Sequence, residues 1–174
     1  TFVLGTPTDK MKRVYDIGYR AQTAAFEAAA PGVPAEDVDA AARKVIEDAG
    51  YGPGYKYFTH RVGHGIGMDG HEWPYLVKGN KEPLAVGNTF SDEPGIYIPG
   101  EFGVRLEDDM VITQNGAELF TRELTLKVVE DLHGMELGYL ELFGRPERIH
   151  EGQPFVIDLR LGWDLGIDQR VNMA

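Results

Sequence analysis

Apolar residues in the first third of the chain recur with the period of a helix. After Thr8, a residue type that caps helix starts, Met11, Val14, Tyr15, Ile17, Gly18, Ala21, Ala24, Ala25 and Ala28 follow one another along one face. That spacing predicts an amphipathic helix, broken by Pro31-Gly32-Val33-Pro34. A second helix is predicted over 35–49, with Val38, Ala41, Ala42, Val45 and Ile46 on its apolar face and Gly50 at its C-terminal stop. Ahead of both, Phe2 to Leu4 read as a strand end closed by Gly5 and Pro7.

From Tyr55 onward the period shortens to that of strands. Phe90 to Glu93 and Ile96 to Ile98 are strand-like and are separated by Pro94-Gly95. Residues 103–112 alternate as one strand, with Arg105, Glu107 and Asp109 on one face and Val104, Leu106 and Asp108 on the other. Gln114-Asn115-Gly116 signals a tight turn, with 117–120 returning as the hairpin partner. Leu124 to Val129 is strand-like, 134–144 alternates glycines with apolar residues, and Gly152 to Leu159 reads as a turn and a buried strand. Two helices followed by a curved antiparallel sheet predict an α+β domain.

Composition narrows the classes of function. The chain has 174 residues, 43% of them hydrophobic, and a formal net charge of −11. That length suits one domain with a real core. The acidity argues against nucleic acid, whose phosphates need a basic face, and against anionic membranes. With no cysteine, disulfides and thiolate metal sites are excluded, and any metal must take N and O ligands. No apolar run reaches the length of a membrane span. The N-terminus lacks the basic and apolar regions of a signal peptide, so the expected location is cytoplasmic. Thr1 to Gly5 read like the middle of a strand, so the expectation is a chain that opens inside a larger domain.

Three segments carry candidate chemistry: His60-Arg61-Val62-Gly63-His64-Gly65-Ile66-Gly67, Ser91-Asp92-Glu93-Pro94-Gly95-Ile96-Tyr97 and Gly103-Val104-Arg105-Leu106-Glu107-Asp108-Asp109. Together they offer imidazole and carboxylate groups from separate elements, the ligand chemistry of a hydrolytic metal centre. Glycines on both sides of His64 would let backbone crowd against a ligand or ion. His60 and His71 flank it, so three of the five histidines fall within 12 residues. Pro94 restricts Glu93 to extended geometry and aims its carboxylate out of a strand end. Asp92 beside it reads as solvated or as a support for its neighbour. Arg105 is placed to orient a carboxylate or bind substrate. Each has a plainer reading: an ordinary Gly-rich loop, a solvated glutamate beside a turn, an exposed charged sheet face.

These residues resemble the pita-bread metallopeptidases, which include Xaa-Pro aminopeptidase, Xaa-Pro dipeptidase, methionine aminopeptidase and creatinase. The likeness runs from Thr1 to Arg122 and is densest in 60–74 (HRVGHGIGMDGHEWP), 87–100 (GNTFSDEPGIYIPG) and 102–113 (FGVRLEDDMVIT). The His-Arg-x-Gly-His-Gly-Ile-Gly and Glu-Pro-Gly-Ile-Tyr forms look like the proline-peptidase branch. The resemblance implies a pita-bread-like α+β fold and two divalent ions, with Mn²⁺ favoured over Co²⁺, Zn²⁺ or Fe²⁺. It also implies a short proline-containing peptide substrate and a homodimer, for which the stretch from Leu132 to Phe143 is a candidate surface. His64 matches a metal-ligating histidine, Glu93 a ligand that also acts as general base, and Glu107 the glutamate bridging both metals. His60 and His71 match histidines beside the substrate and the tetrahedral intermediate, and Arg105 an arginine beside the bridging glutamate.

The family also supplies two aspartates from a hairpin, which does not precede Thr1 here. Gly152 to Asp168 resembles that hairpin, with Asp158 ending an apolar run and Asp168 ten residues later. On this reading 1–122 is a catalytic half-domain. Residues 123–174 are a strand-rich segment of the same domain that delivers Asp158 and Asp168 as metal ligands in a permuted order. Otherwise the two are surface aspartates and the domain is partial. Two other functions share the motifs: a non-catalytic binding module on the same fold, and a creatinase-like hydrolase or lyase of a small non-peptide substrate.

Overall fold

The computed structural model describes Val3 and residues 5–120. Asp158, Asp168, the strand-like segments after Arg122 and the candidate dimer stretch lie outside the described residues, as do Phe2 and Leu4. Val3 is in no regular element.

Helix α1 spans Asp9–Ala28 and starts where the side chain of Thr8 accepts a hydrogen bond from the Met11 N–H, satisfying one of the unpaired donors of the first turn. Its buried face carries Val14, Ile17, Gly18, Ala21, Gln22 and Ala25. Helix α2 spans Ala35–Asp48 and packs against α1. Gly50 follows with φ of +89°, the left-handed geometry that ends helices with little steric cost. Its buried face departs from the apolar pattern. Ala41 and Val45 are only half-buried, while Asp39 and Arg43 are buried between Val38, Ala42 and Ile46.

Seven strands follow: β1 (Gly63–Gly65), β2 (Glu72–Leu76), β3 (Thr89–Asp92), β4 (Gly95–Ile98), β5 (Phe102–Arg105), β6 (Asp108–Thr113) and β7 (Gly116–Leu119). Five form an antiparallel sheet in the order β2-β1-β3-β6-β7, and β4 and β5 form a separate hairpin. The core between sheet and helices includes Phe58, Leu76, Phe90, Ile96, Met110 and Ile112.

The single strand expected over 103–112 is two. Leu106 and Glu107 leave the ladder between β5 and β6, and the chain passes from the hairpin to the main sheet. Leu106 nests against α1 at Gly18, where a Cβ would come within 2.9 Å of its Cδ1. That local burial outweighs continued pairing. Beyond the break, Asp108 pairs with Asp92 and Asp109 with Ser91 across β3 and β6. The hairpin β6–β7 closes at Thr113 and Gly116, as its turn residues imply.

Candidate metal centre

The glycines around His64 serve the sheet. A Cβ at Gly63 would overlap the Ser91 carbonyl, and one at Gly65 would overlap the backbone of Trp73 and Glu72. They therefore let β1 crowd between β3 and β2. The β1–β2 register shifts between His64 and Gly65, an irregularity of the kind that re-aims a side chain.

His64 is held at both ends. Its N–H donates to Ser91 Oγ at 3.1 Å, and its Nδ1 lies 3.0 Å from the Gly65 carbonyl. A carbonyl only accepts, so Nδ1 carries a proton. Nε2 lies 3.2 Å from Glu93 Oε1. Such an approach is stable when a proton or a cation sits between the nitrogen and the carboxylate, and an imidazole fixed through Nδ1 is the usual form of a metal-ligating histidine.

Glu93 follows β3 directly and is 8% exposed, so it is not a solvated residue beside a turn. Its N–H donates to the Val62 carbonyl at 2.7 Å, and its Oε1 accepts from Ser91 Oγ at 3.1 Å. Arg105 Nη1 lies 3.6 Å from its other oxygen, and Arg105 Nε lies 4.0 Å from Glu107 Oε2. The guanidinium thus links the two carboxylates. Asp109 faces the same side. Burial raises its carboxyl above the ordinary value, Asp108 adds to the rise, and His64 opposes it.

Asp92 is neither solvated nor visibly supporting. It is fully buried, and neither carboxylate oxygen has a hydrogen-bond partner among the described residues. Burial, then Asp108 and Glu93, hold its carboxyl well above the usual range.

His71 is exposed, with its ring centroid 4.3 Å from that of His64. His60 lies deeper. Its Nδ1 is 2.7 Å from the Arg61 carbonyl and its Nε2 is 2.8 Å from the Tyr97 hydroxyl. The carbonyl again places the proton on Nδ1, so Nε2 accepts from the phenol. Burial lowers the imidazole below its ordinary value, against the raising effect of the Arg61 carbonyl and Glu93, which favours this neutral form. Tyr97, to which the sequence alone assigned no task, lies in a slot. A Cβ at Gly95 would come within 2.5 Å of its hydroxyl oxygen, and one at Gly103 within 2.7 Å of its ring.

His60, His64, His71, Glu93, Arg105 and Glu107 are therefore neighbours, as their motifs suggest. Among the described residues, no group of three or more His, Asp or Glu side chains closes on one point as a metal cage. His64 and Glu93 fit a divalent cation in donor type and direction, while Glu107 reaches them through Arg105. Two buried charged residues escaped sequence reasoning entirely, Asp39 and Arg43. An acid and a base four apart on a helix read as a solvated pair, and nothing local distinguishes a buried one.

The model of metallopeptidase family M24 matches residues 1–114. The chain belongs to metallopeptidase family M24. This M24 chain is 53% identical over 121 residues to an Xaa-Pro dipeptidase of Lactobacillus delbrueckii subsp. lactis, covering 70% of this chain and 32% of that protein. It is 51% identical over 117 residues to a probable dipeptidase PepE of Mycobacterium tuberculosis, covering 67% and 30%. The solved prolidase from Pyrococcus furiosus superposes with a TM-score of 0.66 at 43% identity, over 70% of this chain and 35% of that one. The two helices and antiparallel sheet are those of the pita-bread fold. The M24 chain spans about a third of the length of the curated relatives it matches.

Proposed function

We propose that this M24 chain takes part in metal-dependent hydrolysis of the Xaa-Pro bond of short peptides. The observation that carries the reading is the convergence of His64 Nε2 and Glu93 Oε1 at 3.2 Å, in a chain whose relatives include named Xaa-Pro dipeptidases. Divalent ions, when bound, supply Lewis acidity that polarises a carbonyl and lowers the pKa of water. His64 would hold such an ion through Nε2, with Glu93 and Glu107 as its carboxylate ligands. Glu93, restrained by Ser91 and Arg105, accepts and returns the proton. His60 and Tyr97 form a neutral hydrogen-bonded pair that contacts the substrate, with His71 at the exposed rim. Asp158 and Asp168 are proposed to complete the ligand set. Two ions with Mn²⁺ preferred, a homodimer and a cytoplasmic setting belong to the same proposal.

The test is turnover of an Xaa-Pro dipeptide and an Xaa-Pro-Xaa tripeptide with added Mn²⁺. Cleavage of the dipeptide is expected, with a loss of about 10²–10⁴-fold in Glu93→Gln. Asp158→Ala should lose about one metal equivalent, and unchanged stoichiometry would remove that residue from the ligand set. A second reading, a catalytically incomplete binding module, has support in the lack of a closed ligand cage among the described residues. Bound metal with no turnover of either peptide would favour it.

A further inference from the structure

The segment from Gly50 to Val62 joins α2 to β1 without a strand of its own. Its backbone carbonyls therefore need partners from elsewhere. One guanidinium supplies three of them. Arg43 Nη1 donates to the Gly54 and Phe58 carbonyls at 3.1 and 2.8 Å, and Nη2 donates to the His60 carbonyl at 2.9 Å. Nε and Nη2 donate to the two oxygens of Asp39, both at 2.9 Å. A guanidinium has five N–H donors, and all five of these bonds are made. Its faces are covered by Tyr55 and Phe58, with ring centroids 4.0 and 4.2 Å away. Asp39 Oδ1 also accepts from the Val62 N–H at 2.9 Å. The carbonyl of Val62 in turn receives the Glu93 N–H.

The pair thus grips the backbone at His60 and Val62, the two points from which His60 and Glu93 are aimed. We propose that Arg43, oriented by Asp39, is a positioning residue. It fixes His60 in its Nδ1-protonated form with Nε2 against Tyr97, and it secures the strand start beside Glu93. Charge alone would not do this. A lysine keeps the cation but lacks the planar fork needed to hold several carbonyls at once. The effect on turnover rests on the peptidase reading, whereas the effect on His60 does not.

Long-range ¹H–¹⁵N spectra of the imidazoles report the tautomer directly, with His60 assigned by its loss in His60→Gln. In the unmodified chain His60 is expected as the Nδ1–H form. In folded Arg43→Lys it should pass to a mixture dominated by Nε2–H, and Asp39→Asn should shift it the same way by less. If folded Arg43→Lys keeps His60 wholly in the Nδ1–H form, the proposal is wrong. Where Arg43→Lys does not fold, an unchanged His60 in folded Asp39→Asn is the overturning result. On an Xaa-Pro dipeptide, KM should rise about tenfold or more, with kcat moving less and metal content unchanged. A changed tautomer with unaltered KM and kcat would reject the link to substrate. An unmodified chain without turnover would instead reject the peptidase reading and leave the tautomer result to decide the positioning claim.

Discussion

Two buried polar clusters meet at Val62 and balance their charges in opposite ways. Around Arg43, each guanidinium N–H has an acceptor, and the charge is met by Asp39. At the end of β3, carboxylates gather: Asp92, Glu93, Asp108 and Asp109 act on one another. The Asp92 carboxylate has no hydrogen-bond partner among the described residues, Asp109 is raised by burial and Asp108, and Glu93 Oε1 lies 3.2 Å from His64 Nε2. The first cluster is complete within the chain and acts as scaffold. The second holds carboxyl groups that burial raises above their ordinary values, a pattern that clusters at functional sites.

Breaking the scaffold should cost most. Asp39→Ala leaves the guanidinium buried without its counter-charge, and a loss of about 3–5 kcal/mol is expected in urea unfolding. A loss below about 1 kcal/mol would place the pair among ordinary surface ion pairs and erase the contrast. Next is Gly63→Ala. Its methyl would overlap the Ser91 carbonyl, so β1 and β3 must part at about 3 kcal/mol, the upper range for overpacking. An unchanged melting temperature would show that the sheet yields there.

The second cluster should respond through binding more than folding. Ser91 Oγ accepts from the His64 N–H and donates to Glu93 Oε1. Ser91→Ala should cost about 2 kcal/mol in stability and weaken Mn²⁺ binding about 10–100-fold by calorimetric titration. Equal metal affinity in the variant would mean that the serine serves the sheet alone. The smallest effect is on pH dependence. Because the folded Asp92 carboxyl sits above its ordinary value of 3.8, the native state binds more protons than the unfolded chain. The Asp92 contribution to stability is then fully present below that ordinary value and is lost as pH rises through the folded value. In chelator-treated protein, Asp92→Asn should flatten this fall, and parallel profiles would remove Asp92 as its source.

Much of this was legible along the chain, because the signals were local. Thr8 caps α1 through its own hydroxyl, Gly50 closes α2, and the turn at 114–116 sets the β6–β7 hairpin. The motifs around His64 and Glu93 mark neighbours because strand pairing brings Gly65 beside Phe90. What escaped depends on contacts distant in sequence. The break at Leu106 is set by a niche on α1 at Gly18, which alternation within 103–112 cannot register. Arg43 is buried because rings and carbonyls from 54–60 surround it. Asp92 reads as solvated or as a support for its neighbour until β6 and Gln22 of α1 cover its strand end.

The slot that seats Tyr97 bears on how altered copies of such a chain would be recognised. Gly95 and Gly103 place the phenol by leaving room for it, so its aim is encoded in two hydrogen atoms. A gene that acquired alanine at either position would still encode all its histidines, carboxylates and arginine. An inventory of reactive side chains would pass it as sound. The lesion would be visible only to a reader who also counted the places where nothing is allowed to grow.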